Sequence, residues 1–255
     1  MQDIFIRDEG EGFPLVLVHG FLGSSGMWKP QIDFFKDYFR VITPDLPGYG
    51  KSNKAKLHNN IQSIANLLLD CLEEKKIDKF YLLGHSMGGM IVQEMAKKSG
   101  DKISKLICYS TGPRGEMPGR FETIDQSREN LKKKGLESTT RSIAKTWFTL
   151  GEKAEHFELC IQSGKETSIE AAENALIAIK EYNGVNNLKF IKNKTLIIWG
   201  DKDKSYNLKQ VKTLKKNISN SSLVIFEGCA HNVHLEKIEE FNKTVLNFIN
   251  GKLNE

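Results

Sequence analysis

One serine of the chain stands in a local sequence that is typical of a nucleophile. Residues 84–88 read Gly-His-Ser-Met-Gly, after an apolar run and before a segment of helical period. This order predicts a sharp strand-to-helix turn in which Ser86 adopts a strained backbone conformation, and the flanking glycines allow the chain to close. The Ser86 hydroxyl is then exposed at the start of a helix. It can attack a carbonyl carbon there if a base removes its proton.

Two downstream histidines are candidates for that base. His231 lies in a loop shortly after a predicted strand, and His234 follows three residues later at the expected start of the last helix. The spacing favours His231, which is nearer to the strand end, and leaves His234 as the alternative. His85 belongs to the turn itself and is expected to point elsewhere.

A carboxylate must hold the imidazole of the base in the correct tautomer. Asp201 and Asp203 both follow the strand that precedes the histidine loop, so the chain order is Ser, Asp, His. Their spacing does not choose between the two aspartates.

Two backbone N–H groups are expected to bind the oxyanion that forms on attack. Met87 supplies one, because it follows the nucleophile at a helix N-terminus, where N–H groups have no intrahelical acceptor. Phe21 supplies the other from an early loop in which Gly20 allows close approach of the backbone. His19 is expected to tie this loop down.

The pattern of apolar runs predicts how these residues are held. Short runs rich in branched side chains alternate with segments of helical period, which is typical of parallel strands joined by crossover helices. We therefore predict a doubly wound α/β fold, with a mostly parallel sheet covered by helices on both faces. The predicted strands are 13–18, 38–43, 79–83, 104–109, 194–199 and 222–226, and the predicted helices are 27–36, 61–72, 87–98 and 238–248.

The alternation stops in residues 112–190, where polar helical segments replace the strand pattern. We predict that residues 112–190 form an inserted helical lid, called the lid segment below. Residues 1–111 and 191–255 then form the core domain. Such an insertion would cover the carboxyl edge of the sheet, where open α/β sheets bind ligands.

Composition excludes several classes of function. The 37 basic and 32 acidic residues give a net charge of +5 without a basic and aromatic stripe, which argues against nucleic-acid binding. The apolar runs are far shorter than the roughly 20 residues of a membrane span, and the N-terminus lacks the pattern of a secretion signal, so a cytoplasmic protein is expected. The four cysteines are scattered, which favours reduced thiols over disulfides or a zinc site and leaves the role of Cys229 open.

Five motifs together resemble the α/β-hydrolase fold superfamily over nearly the whole chain. They are residues 19–25 (His-Gly-Phe-Leu-Gly-Ser-Ser), 45–52 (Asp-Leu-Pro-Gly-Tyr-Gly-Lys-Ser), 84–89, 200–203 and 228–236. The resemblance implies Asp203 as the acid, His231 as the base, a structural role for residues 45–52 and a helical lid. Two features depart from the family pattern. Only one short strand, near residues 3–7, precedes the glycine-rich residues 9–12, and a serine nucleophile excludes the haloalkane-dehalogenase and epoxide-hydrolase branches.

The resemblance also implies a substrate class. Residues 134–136 and 145–149 look like the lid of enol-lactone hydrolases and small esterases. We therefore expect a small ester, thioester or lactone, hydrolysed without metal or organic cofactor by a monomer or small homo-oligomer. Trp147 is a candidate substrate contact, although packing is the commoner role of such a residue. Arg114, Arg120 and Arg128 could bind a substrate carboxylate, but solvated surface charge is the expected role.

Two alternative functions remain at this stage. Carbon–carbon hydrolases of ring-cleavage products resemble this chain, but they tend to carry Asn before the nucleophile and Trp after the base, where this chain has His85 and Asn232. Other proteins of this fold are small-molecule receptors that keep the three residues without turnover.

Overall fold

A computed structural model describes residues 4–253 of the chain. The strands of this part form one sheet in the order β1-β3-β2-β4-β5-β6-β7, in which β1 pairs antiparallel with β3 and the other neighbours are parallel. The predicted α/β fold with a mostly parallel sheet is confirmed. The strands are β1 (Ile6–Glu9), β2 (Pro14–Val18), β3 (Arg40–Pro44), β4 (Phe80–His85), β5 (Ile103–Tyr109), β6 (Thr195–Gly200) and β7 (Ser221–Phe226).

Helices connect the parallel strands and continue through the lid segment. None of the helices in residues 4–253 is both long and apolar enough to cross a membrane. The α-helices are α1 (Lys29–Phe35), α2 (Ile61–Glu74), α3 (Met87–Ser99), α4 (Ile124–Ala144), α5 (Phe157–Lys165), α6 (Ile169–Glu181), α7 (Leu208–Asn217), α8 (Val233–Glu236) and α9 (Ile238–Ile249).

The alternation of side chains along each strand produces two cores. In β2, Val16 and Val18 pack with α2 and α3 on one face, whereas Leu15 and Leu17 pack with α1 and α9 on the other. The buried strands are apolar on both faces, as expected for a parallel sheet covered by helices on both sides. Apolar residues of the lid segment belong to the core that contains α2 and α3.

Several helices have an N-cap residue whose side chain accepts a hydrogen bond from a backbone N–H group of the first turn. The side chain of Asn60 accepts a hydrogen bond from the backbone N–H of Ser63 at the start of α2, at 2.8 Å. Asn207 does the same for Gln210 at the start of α7, at 3.1 Å. The sequence pattern did not predict α7, because this lysine-rich helix buries only Gln210, Val211 and Leu214.

Two predictions at the ends of the chain need correction. The strand expected near residues 3–7 runs from Ile6 to Glu9, and Asp3 lies outside the described residues. His234 does not open the last helix. It lies in the short helix α8, and the non-helical backbone of Lys237 (φ −135°, ψ 63°) separates α8 from α9.

The lid segment contains α4, α5 and α6, with short 3-10 turns between α4 and α5 and after α6. An isolated β-bridge joins Arg114 to Asn183, near the two ends of the segment. Within α4 the backbone of Gly135 is not helical (φ 76°, ψ 175°), so a kink divides this helix. A role of the segment as a lid over the site stays a prediction.

Candidate active site

Ser86 lies in a strained turn between β4 and α3. Its backbone angles are φ 56° and ψ −118°, a conformation that a residue with a side chain rarely adopts. The flanking glycines permit the turn, because a Cβ on Gly84 would lie 2.3 Å from the carbonyl oxygen of Gly88, and one on Gly88 would lie 2.4 Å from that of Val18. The observed turn agrees with the conformation predicted for Ser86.

His231 and Asp203 contact each other beside Ser86. The Nδ1 atom of His231 lies 2.9 Å from Oδ2 of Asp203, and both side chains are shielded from solvent. The other carboxylate oxygen of Asp203 accepts hydrogen bonds from the backbone N–H groups of Ser205 and Tyr206, at 2.7 and 3.2 Å. The carboxylate is therefore fixed on both sides, and Nε2 of His231 is the nitrogen left to exchange a proton.

Asp201 points away from this pair. Its Oδ1 accepts a hydrogen bond from the backbone N–H of Gly228 at 2.7 Å, and its Oδ2 contacts Lys202. The structure thus brings Asp203, and not Asp201, to His231.

His234 packs against Tyr109 and Trp28. It is fully buried, its Nδ1 lies 2.9 Å from the Tyr109 hydroxyl, and its ring is 4.8 Å from that of Trp28. Burial lowers the pKa of His234 to about 3, so its ring is neutral at physiological pH. His85 is also buried, and its Nε2 lies 3.3 Å from the carbonyl oxygen of His231.

A small cavity joins Ser86 to His231. This catalytic cavity has a volume of about 30 Å³, and Phe21 and Trp147 also line it. The Trp147 ring lies 6.2 Å from that of His231. Within residues 4–253, neither Phe21 nor Met87 uses its backbone N–H in an internal hydrogen bond. Both N–H groups are therefore available to an oxyanion.

A family model described as the alpha/beta hydrolase fold matches residues 14–238. The chain belongs to the α/β hydrolase family. The family model covers the elements that carry Ser86, Asp203 and His231, and it ends at the start of α9.

Curated relatives of this α/β hydrolase match over nearly their whole length. It is 28% identical to an AB hydrolase superfamily protein of Bacillus subtilis (97% of this chain and 96% of the relative). It is also 28% identical to a pimeloyl-[acyl-carrier protein] methyl ester esterase of Legionella pneumophila (97% and 100%). Among solved structures, the enol-lactonase of Burkholderia xenovorans has a TM-score of 0.87 at 21% identity over 97% of this chain and 96% of its own. That similarity shows the fold.

Tyr206 and Arg120 are polar residues of the catalytic cavity that were not among the predicted site residues. The Tyr206 ring stacks on His231 at 5.9 Å, and burial raises the pKa of its phenol, while contacts with the side chains of Ser86 and Thr111 oppose that shift. Arg120 also lines the cavity, although solvated charge was its expected role. Within the described part of the chain, no hydrogen bond joins the Ser86 hydroxyl to His231.

The early loop of this α/β hydrolase is held by His19, as predicted. Nε2 of His19 accepts a hydrogen bond from the backbone N–H of Leu46 at 3.0 Å, and its Nδ1 lies 2.8 Å from the Gly20 carbonyl oxygen. Asp45 accepts from the backbone N–H groups of Ser25 and Lys51, at 2.6 and 2.9 Å. The motif at residues 45–52 therefore supports the loop that carries Phe21.

The four cysteines all lie within residues 4–253, where they are buried and form no disulfide. Burial raises the pKa of the Cys229 thiol to about 11, so Cys229 is neutral at physiological pH and is a poor nucleophile. Within residues 4–253, no group of three or more His, Cys, Asp or Glu side chains could hold a metal ion.

The buried histidines predict acid sensitivity of the fold. Burial lowers the pKa of His19, His85 and His234, whereas the same groups titrate near 6.5 in an unfolded chain. Below pH 6.5 the unfolded chain therefore binds protons that the folded protein excludes, and stability falls as the pH falls. For His234 alone the loss between pH 7.5 and pH 5 is about 2 kcal/mol.

Urea unfolding at pH 7.5 and pH 5 measures this effect. We expect a lower free energy of unfolding at pH 5, and a smaller difference between the two pH values for His234→Gln. An equal difference for His234→Gln and the parent protein contradicts the assignment of His234 as a buried neutral group.

Proposed function

We propose that this protein is a serine hydrolase that cleaves a small carboxylic ester, thioester or lactone through an acyl-enzyme on Ser86. The observation that carries the proposal is the 2.9 Å contact between His231 and Asp203 at a cavity that also contains Ser86. A neutral imidazole held by a carboxylate at Nδ1 presents a basic Nε2 to the serine hydroxyl. The strained turn presents that hydroxyl at the N-terminus of α3.

The first half of the reaction forms the acyl-enzyme. His231 takes the proton of the Ser86 hydroxyl as Oγ bonds to the acyl carbon, and Asp203 stabilises the imidazolium that results. The N–H groups of Phe21 and Met87 bind the negative oxygen of the tetrahedral intermediate. His231 then gives the proton to the leaving oxygen or sulfur, whose bond to the acyl carbon breaks.

The second half releases the acid. A water molecule loses a proton to His231 and attacks the acyl carbon, and the bond to Ser86 Oγ breaks as the proton returns to that oxygen. Every step is a proton transfer or an acyl transfer, so the groups of the chain supply all the chemistry. Trp147 is proposed as an apolar contact for the substrate, because its side chain lines the catalytic cavity.

Relatives support the ester as substrate. The Legionella relative is named as a methyl ester esterase, and the Burkholderia structure as an enol-lactonase. Ester and lactone cleavage need the same groups, because both form an acyl-enzyme and protonate a leaving oxygen, which departs as an alcohol from an ester and stays attached to the acyl chain in a lactone.

A fluorophosphonate probe combined with a turnover assay tests the function. We expect one adduct by intact mass, mapped to Ser86 and lost in Ser86→Ala, together with repeated turnover of p-nitrophenyl acetate. A receptor that keeps the three residues would react with the probe without turnover. Absence of the adduct on an otherwise folded protein rejects Ser86 as the nucleophile, and a panel of esters, thioesters and lactones at equal concentration then ranks the substrate classes.

A further inference from the structure

Arg120 stands between the catalytic cavity and a larger one. It lines the catalytic cavity of about 30 Å³ together with Ser86 and His231. It also lines a wider, open cavity of about 460 Å³, called the outer cavity, whose lining includes Met117, Ile124 and Lys180 and the acidic residues Glu116, Glu122 and Asp125. The two cavities share Met117, Arg120 and Ile124, so a substrate that extends from Ser86 into the outer cavity passes the Arg120 guanidinium.

One edge of the Arg120 guanidinium is held by the protein and the other is not. Nη1 donates to the carbonyl oxygen of Glu122 at 2.6 Å and to the hydroxyl of Ser127 at 3.0 Å, and the guanidinium stacks on the Phe121 ring at 4.1 Å. The Nε and Nη2 atoms donate to no other described residue. In Arg40 these two atoms hold both carboxylate oxygens of Asp8, at 2.9 and 2.7 Å, which is the bidentate geometry that the Nε and Nη2 edge provides.

No acidic side chain of residues 4–253 forms an ion pair with Arg120, although Glu122 is close in sequence. The Glu122 carboxylate accepts hydrogen bonds from Ser127 and Asn130 instead, and no Arg120–carboxylate contact lies within 4.0 Å. Burial lowers the pKa of Arg120, and the charge of the nearby Glu122 carboxylate opposes that shift without forming an ion pair with the guanidinium. A charge in such a place costs free energy unless an anion compensates it.

We propose that Arg120 binds a carboxylate carried by the substrate, a few bonds from the scissile carbonyl, through its Nε and Nη2 atoms. The inference rests on the proposed function, because it places the carboxylate relative to an acyl group on Ser86. The preferred substrate is then either a monoester of a dicarboxylic acid, with the carboxylate on the acyl group, or an ester of a hydroxy acid, with the carboxylate on the leaving group.

The other two arginines considered from the sequence do not share this position. Arg114 is exposed and lines neither the catalytic nor the outer cavity. Arg128 lies 3.3 Å from Glu173 and 3.8 Å from Asp125, so its charge is already compensated. Arg114 is therefore the matched control for Arg120.

Pairs of esters that differ only in charge test the proposal. The anionic members are the monomethyl esters of succinic, glutaric and adipic acids, each compared with the methyl ester in which an isopropyl group replaces the free carboxylate. Acetoxyacetate, compared with isobutyl acetate, places the charge on the leaving group instead. We expect kcat/KM of the parent enzyme to favour the anionic member of at least one pair, and Arg120→Met to lower that preference about tenfold or more.

Two further variants make the result specific. Arg120→Lys keeps the charge but not the bidentate edge, so its preference should lie between those of the parent enzyme and Arg120→Met. Arg114→Met should keep the preference of the parent enzyme. Equal preferences in the parent enzyme and Arg120→Met overturn the proposal.

A binding measurement separates this proposal from the proposed function. Turnover of p-nitrophenyl acetate tests the hydrolase activity alone. Calorimetric titration of Ser86→Ala with monomethyl adipate and with adipate tests the carboxylate site without chemistry. We expect binding about tenfold weaker when Arg120→Met is added to Ser86→Ala, and equal binding by the two proteins rejects the site even if the ester assay succeeds.

Discussion

Ser86→Ala is expected to lower kcat for ester hydrolysis by about 10⁴- to 10⁶-fold, because the variant has no oxygen to form the acyl-enzyme. His231→Ala should produce a loss of similar size, since the hydroxyl then has no base. The double variant should lose little more than either single variant, because the two groups act in the same step. Steady-state kinetics with p-nitrophenyl acetate measure all three.

His234→Gln is the control for this series. His234 is buried, contacts Tyr109 and does not line the catalytic cavity, so we expect the folded variant to keep most of its activity at pH 7.5. A loss in His234→Gln as large as that in His231→Ala, with an unchanged fold by circular dichroism, transfers the role of base to His234. If the loss of kcat in the double variant of Ser86 and His231 equals the product of the two single losses, the two residues do not act in the same step.

Asp203→Asn is expected to lower kcat by about 10⁴-fold while the fold is kept. The amide is similar in size to the carboxylate and can still accept the hydrogen bonds of Ser205 and Tyr206. It does not stabilise the imidazolium, however, and it can hold His231 in the wrong tautomer. KM should change much less than kcat, because Asp203 acts through His231 rather than on the substrate.

Asp201→Asn is the matched control, because it makes the same chemical change two residues away. Asp201 accepts a hydrogen bond from Gly228 and contacts Lys202, and its contacts do not include His231. We expect this variant to keep most of kcat. Comparable losses in Asp201→Asn and Asp203→Asn would show that the loop, rather than one carboxylate, controls the reaction.

The parts of the site that could be predicted from sequence are those that depend on local backbone geometry. The turn at Ser86 requires small residues at Gly84 and Gly88, so five consecutive letters and their flanking elements identify it. The strands were predictable because both faces of a parallel sheet are buried, which produces continuous apolar runs.

The choice between Asp201 and Asp203 could not be made from residue spacing. Both aspartates follow β6, and only the direction of the turn separates them. The hydrogen bond from the backbone N–H of Asp203 to the carbonyl of Gly200, at 3.1 Å, closes the turn. The backbone N–H groups of Ser205 and Tyr206 then orient the Asp203 carboxylate. The family resemblance pointed to Asp203, but residue spacing alone contains no such information.

The positions of Arg120 and Tyr206 in the catalytic cavity were not predicted, because they depend on contacts distant in sequence. A Pro-Gly-Arg-Phe stretch is typical of an exposed loop, and solvated charge was the reasonable expectation. The backbone N–H of Phe121 donates to the carbonyl of Lys204 at 3.0 Å, which joins the loop after β5 to the loop after β6. This contact brings Arg120 towards Tyr206 and the cavity.

Glu236 joins the histidine loop to the lid segment. Its carboxylate accepts hydrogen bonds from the backbone N–H of Ala230 at 2.6 Å and from the N–H and hydroxyl of Thr149, each at 2.7 Å. The backbone N–H of Asn232 also donates to the carbonyl of Trp147 at 3.0 Å. Ala230 and Asn232, the neighbours of His231, are thus connected to residues 147–149 of the lid segment, Ala230 through Glu236 and Asn232 directly. If that stretch moved to admit a bulky molecule, the hydrogen bonds of Thr149 with Glu236 and of Asn232 with Trp147 would break, so we expect substrate entry to change the position of the His231 imidazole.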